Sequence, residues 1–212
     1  MRPLTELADL LLPATQETLY MVALSTLVTV AGGVPLGVLL TRAPKSVYRP
    51  LSAAVNVGRS LPFVILLVLV MPLTRAIAGT TIGPEAAVVP LSIGAIPFFA
   101  RLVEAALHEV DPGLIEAGRS LGLRGWGLVT KVLLPEAVPG LIRALTVTIV
   151  AIVGYSAMAG VVGGGGLGDL AIRYGHQRFE TDVLLATVAL LVVGVQLVQS
   201  GGDLLAKRLD RR

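Results

Sequence analysis

Residues Leu19 to Leu40 form a run of 22 side chains without a single charge, closed by Thr41 and Arg42. A helix needs roughly 20 apolar residues to cross about 30 Å of hydrocarbon, and in that layer the backbone must satisfy its own N–H and C=O groups. Such a run fixes the surroundings of a chain before it fixes a fold. Four more follow. Leu61–Ala78 carries only Arg75, near its far end. Ala86–Leu107 is uncharged to Ala100 and then holds Arg101 and Glu104. Ala144–Val162 is uncharged, and Val183–Gly202 lies between Asp182 and Asp203. Only 15% of the residues are charged, against about 25% in soluble domains. The 24 Gly and 13 Pro suit helices whose neighbours re-satisfy the backbone. Residues 1–212 are expected to form one all-α integral membrane domain with five transmembrane helices, at about 19–40, 61–78, 86–107, 144–162 and 183–202.

Lys and Arg set the orientation. With the N-terminus outside, the inner side holds Arg42, Lys45, Arg49 and Arg59, then Arg101, Arg119, Arg124, Lys131 and Arg143, then Lys207, Arg208, Arg211 and Arg212. The outer side keeps Arg2, Arg75, Arg173 and Arg178. The excess of inner cations favours N-out, C-in. Met1 to Thr18 has one Arg and three acids, which is not the basic start of a cleavable signal. The cations form no continuous stripe, so no nucleic-acid role is expected. There is no Cys, hence no disulfide or thiolate metal site, and His108 and His176 stand isolated, so no metal site is expected. Arg59 and Arg101 read as membrane-edge anchors rather than ligand groups.

The longest inner loop, about 108–139, contains a stretch, about 111–136, with the pattern of a short amphipathic helix. Asp111 suits an N-cap and Pro112 the first helical position. Leu114, Ile115, Ala117, Leu121 and Leu123 are spaced for one apolar face. Trp126, Leu128, Val129, Val132 and Leu133 supply a second cluster, and Pro135 and Pro139 punctuate the return into the membrane. A helix of this kind rests on a bilayer or docks into a groove on a soluble partner.

Within that loop, Glu116-Ala117-Gly118, three residues, Gly122, nine residues, Val132, one residue, Leu134-Pro135 resembles the Glu-Ala-Ala loop of bacterial ABC importer permeases. The spacing matches throughout; Gly118 stands for the second Ala and Val132 for Ile. Asn56–Phe63, Ile96–Arg101, Gly154–Gly160, the run Gly163–Gly168 and Tyr174-Gly175 are similar to segments of the methionine-importer permeases, so the likeness covers roughly residues 15 to 205. The resemblance implies the type I ABC importer permease fold, with the loop as a cytoplasmic coupling helix seated in a cleft of a separate ATPase. Glu116, Ala117, Gly118, Gly122, Leu134 and Pro135 would then carry the coupling. It implies localisation in the cell inner membrane, an extracytoplasmic substrate-binding protein and a gate at Met158.

No Gly-x-x-x-x-Gly-Lys-Ser/Thr occurs, so the phosphate cradle of an ATPase is missing. No catalytic residue and no cofactor are expected in this chain; ATP and Mg would be held by two partner ATPase subunits. One docking loop and five helices per chain point to a homodimer with the pathway on its two-fold axis. The Gly163–Gly168 run reads as a turn or a close-packing element. Glu116 is either a solvated helix-start acid or a group that pairs with the ATPase or braces the loop. Arg124 and Lys131 face either a partner or anionic lipid heads. Tyr155 and Ser156 either line the pathway or pack helices, and a flexible thioether at Met158 is able to close a narrow pore. The expected function is permease subunit of an ATP-driven methionine importer working by alternating access. The alternatives are a permease for another small amino acid or metabolite, and an ATP-independent secondary transporter, which the lack of carboxylates at the span centres disfavours.

Overall fold

The computed structural model describes residues 3–210; Arg2, Arg211 and Arg212, counted for orientation, lie outside the described residues. Ten helices are described: α1 Leu4–Arg42, α2 Lys45–Ser60, α3 Phe63–Leu69, α4 Met71–Ala78, α5 Pro84–His108, α6 Pro112–Ser120, α7 Trp126–Leu128, α8 Leu134–Ala159, α9 Gly166–Leu170 and α10 Thr181–Leu209. A π-type turn, Val129–Leu133, joins α7 to α8, so residues 126–162 form one continuous rod. The turn falls where Pro135 removes an N–H from the α ladder, and Leu134 N–H reaches Val129 O instead.

Among the described residues, four helices are long and apolar enough to cross a membrane: residues 5–42, 84–108, 126–162 and 181–209. A fifth crossing arises if α2 and α3, bent by 104°, count together. The first is longer than expected. Helix α1 begins well before Leu19 and, at 1.5 Å per residue, its 39 residues span about 58 Å. The expected second span, 61–78, is two short helices. Pro62 caps α3, Pro72 sits in the first turn of α4, and Val70 between them has φ −91°, ψ 3°. Pro62 separates α3 from α2, and Pro72, without an N–H, stands at the break after Val70 in what hydropathy alone reads as one rod.

Helix α5 is the central element and packs on α1 along one side and α8 along another. Two apolar clusters stack along these three helices. One gathers Met21, Phe63, Leu66, Leu91 and Ile152, the other Val38, Phe99, Val103, Val129 and Leu133. Burying each large aliphatic or aromatic side chain between helices gives the dense packing that holds bilayer helices together, where lipid is as apolar as leucine. Helix α10 leans on α8 but buries little of its own surface.

Arg101 is an internal tie rather than a membrane-edge anchor. Its guanidinium donates to Glu104 Oε2 at 2.6 Å, Ser52 Oγ at 2.8 Å and Asn56 Oδ1 at 2.8 Å. A largely buried Glu104 draws it inward, because an unpaired carboxylate there is costly. Arg59, by contrast, lies over the Phe98 ring at 5.9 Å.

Candidate functional site

The loop after α5 folds as its residues predict at the start. The Asp111 carboxylate accepts from Gly113 N–H at 2.6 Å, and Pro112 opens α6. The helix ends at Gly122, whose φ is +82°. Leu123 N–H donates to Gly118 O and Gly122 N–H to Arg119 O, both at 3.0 Å. This pair of reversed bonds satisfies the last carbonyls and requires a left-handed residue, for which glycine carries no steric penalty.

One side of α6 is seated. Gly118 is buried, and a methyl there would press on Leu128 and Val132 at 3.0 and 3.1 Å. Ile115 joins the cluster of Val110, Val129 and Leu133. The other side is open: Leu114, Glu116 and Ala117 are exposed, and Leu121 beyond the helix is 82% exposed. Glu116 makes no ion pair among the described residues. Leu134 is half-buried and Pro135 exposed at the head of α8. A cleft of about 520 Å³ runs beside the loop, lined by Leu114, Pro135, Glu136, Arg143 and Asp210 among others. At its edge Arg143 pairs with Asp210 at 3.3 Å, tying the end of α10 to α8.

The three residues singled out in α8 do not share a face. Tyr155 stacks on Phe63, with centroids 4.5 Å apart and planes 6° from parallel. Ser156 is buried, and its hydroxyl donates to Val153 O at 2.8 Å. Met158 is 45% exposed. Residues two apart on a helix point to nearly opposite sides, which separates Ser156 from Met158. Met158 lies instead on an unpacked stripe with Val147, Gly154 and Val161, spaced as one helical face.

At the far end of α8, the Gly163–Gly168 run forms a tight corner. Gly163, Gly165 and Gly166 all have φ between +75° and +82°. A side chain at Gly160 would collide with the backbone of Gly168 and Asp169. Two residues of α1 that the sequence reading did not single out hold this corner. Glu17 Oε2 accepts from Gly166 N–H at 2.7 Å, and Thr18 Oγ accepts from Leu167 N–H at 2.9 Å. They satisfy free donors at the start of α9. The available signal was Glu17 itself, the last charge before the 24 uncharged residues Thr18–Thr41. Asp169 and Arg173 then pair across one turn of the same segment.

The model of the family described as "Binding-protein-dependent transport system inner membrane component" matches residues 33–212. The probable D-methionine transport system permease protein MetI of Vibrio cholerae is 52% identical over 97% of this chain and 94% of its own length. The methionine import system permease protein MetP of Bacillus subtilis is 44% identical over 79% and 76%. A solved inward-facing structure of the MetNI methionine ABC transporter contains a chain that superposes with a TM-score of 0.92 at 47% identity, over 95% of this chain and 97% of that one. A crystal structure of an amino acid ABC transporter with histidines superposes at a TM-score of 0.82 with 22% identity over 96% of each chain, a likeness of fold alone.

Proposed function

The chain belongs to the binding-protein-dependent transport system inner membrane components, and from that membership we propose that it is the membrane-spanning permease of an ATP-driven methionine importer. The observation that carries this reading is the form of α6. It is a capped helix seated on one side and open on the other; it carries Glu116, Ala117 and Gly118, and Gly122 follows just past its end, at the family's spacing.

Helix α6 is the handle. Gly118 brings it close to the head of the α7–α8 rod, and Gly122 ends it, leaving Glu116, Ala117 and Leu121 to face a cytoplasmic ATPase. Leu134 and Pro135 form the joint through which movement of α6 reaches α8. The rod runs from that joint to the Gly163–Gly168 corner, so the two ends report to each other through one element. ATP and Mg act on the partner ATPase subunits. Their ATP-bound and ATP-free forms must favour different permease states, since only differential binding shifts a two-state equilibrium.

The assembly is a homodimer, N-out and C-in, with the Met158 stripes of two α8 helices facing the axis. Met158 is the gate. Tyr155, stacked on Phe63, and Ser156, bonded to its own helix, set the turn that presents it. The binding protein docks on the side of the N-terminal segment and residues 163–182. The coil of interactions from Glu17 to Gly166 then lies between that docking side and the head of the pathway.

Expression with its neighbouring ATPase, followed by detergent purification, is expected to recover a permease–ATPase complex. That complex, reconstituted with its binding protein, is expected to take up labelled D- and L-methionine in an ATP-dependent way. Uptake of another solute and not methionine would reject the substrate and keep the permease. Purification free of any ATPase would reject both.

A further inference from the structure

Beside the coupling loop, the end of α1, the start of α2 and the segment Gly125–Val129 enclose a groove of about 500 Å³. That is within the roughly 300–1,000 Å³ of small-ligand pockets. Its walls are Val38, Leu39, Val47, Trp126 and Val129, with the Arg42 side chain at the mouth. Leu39 and Val47 are about half exposed and Trp126 is 70% exposed. No protein element covers them among the described residues.

The two stretches that build the groove carry charge of one sign. No Asp or Glu occurs between Glu17 and Glu85, nor between Glu116 and Glu136. Both stretches that build the groove come from these acid-free segments. The first carries Arg42, Lys45 and Arg49 and the second Arg119, Arg124 and Lys131, and Arg42 itself lines the groove. Arg42, Lys45 and Arg124 are exposed and make no ion pair among the described residues. An apolar trough with a cationic mouth, at the end of a membrane-crossing helix, has the two halves that a phospholipid needs: a wall for an acyl chain and cations for a phosphate.

We infer that this groove is a seat for one anionic glycerophospholipid, held by Arg42 and Lys45 at the headgroup and by Trp126 and Val47 along the chain. The inference rests on the permease reading only for the side of the membrane on which the groove lies. Tryptophan is the aromatic residue of membrane–water interfaces, and basic pockets beside membrane helices take acidic lipid heads. The seat touches both α1 and the segment leading into the α7–α8 rod. Lipid occupancy therefore joins the bilayer to the element that carries the coupling motion.

Trp126 is the single tryptophan of the chain, which makes the test direct. The full-length chain is reconstituted in vesicles of phosphatidylcholine with phosphatidylglycerol, with one lipid or the other brominated at equal mole fraction. Brominated phosphatidylglycerol is expected to quench Trp126 as though enriched about fivefold at the site, what one further cation near an anionic surface supplies. In Arg42→Gln with Lys45→Gln that preference is expected to vanish, while quenching by brominated phosphatidylcholine stays. Equal quenching of the natural chain by both lipids would overturn the proposal and leave an ordinary interfacial tryptophan. Absence of quenching by either would also overturn it, and would place protein over the groove. A preference that survives the double substitution would overturn the assignment to Arg42 and Lys45. A chain that prefers phosphatidylglycerol but recovers no ATPase would keep the lipid seat and sink the permease reading. A complex that transports without lipid preference would do the opposite.

Discussion

At the scale of single residues, Gly122 is the position where backbone conformation meets the proposed coupling. Its φ of +82° costs a residue with a Cβ about 1–2 kcal/mol, and Asn is among those that tolerate it best. Nothing lies within 4 Å of where a Cβ would stand, so the penalty is conformational and not steric. We predict a graded series. Gly122→Asn should keep ATPase association and transport near the natural level. Gly122→Val should unwind the end of α6 and release the ATPase, while the membrane body stays folded. Co-purification yield beside a thermal melt of the detergent-solubilised chain would check it; a Val variant that binds ATPase normally would remove the cap from the coupling account. This helix was legible because Asp111 and Pro112 mark its start and Gly122 follows Glu116-Ala117-Gly118 after three intervening residues, all local signals. Glu17 and Thr18 were not legible in the same way. Their partners, Gly166 and Leu167, lie 149 residues away, and no local pattern announces a bond of that reach.

At the scale of elements, the sequence disclosed the long rods and not the breaks between them. Uncharged runs report where hydrocarbon must be crossed, so α1, α5, α8 and α10 follow from hydropathy. The same runs cannot show that 61–78 breaks at Val70, beside Pro72, into two short helices, because proline is as apolar as its neighbours and acts through a missing N–H. Helix α2 was hidden for another reason: its anchorage depends on Arg101, a charge that composition assigns to the membrane edge. In the fold, Tyr48, Leu51 and Val55 of α2 lie against Leu40 and Ala100, and Arg101 fastens the polar side through Ser52 and Asn56. Arg101→Leu should therefore destabilise strongly, by about 3–5 kcal/mol, since it strands the buried Glu104 carboxylate. The double change Arg101→Leu with Glu104→Leu should restore most of that loss, as isosteric apolar pairs often replace buried ion pairs without cost. Denaturation midpoints of the two single variants and the double variant form the required cycle. Equal losses in single and double variants would show that the bonds to α2, and not the pairing with Glu104, hold the segment.

For the whole molecule, the unpacked faces carry the argument. A chain with its apolar clusters filled still leaves Val147, Gly154, Met158 and Val161 in one line along the rod of residues 126–162. Lipid alone would cover such a stripe, but lipid places no demand on Gly154, whereas a second helix does, because small residues allow close approach. The stripe also begins above the joint with α6 and ends below the Gly163–Gly168 corner, which is the course expected of a path that opens alternately at its two ends. Two copies related by a two-fold axis would set the stripes face to face, each residue opposite its own equivalent. Because the chain has no cysteine, a single Val161→Cys gives one thiol per copy. In the intact complex, a short thiol-to-thiol reagent should link two copies through Val161→Cys, and ATP trapping should change the yield, since the two ends of the path cannot both be closed in every state. Leu197→Cys on the outer face of α10, itself 69% exposed, serves as the contrasting site. Cross-linking through Leu197→Cys and never through Val161→Cys would turn the dimer around, putting α10 at the axis and leaving the Met158 face to the bilayer.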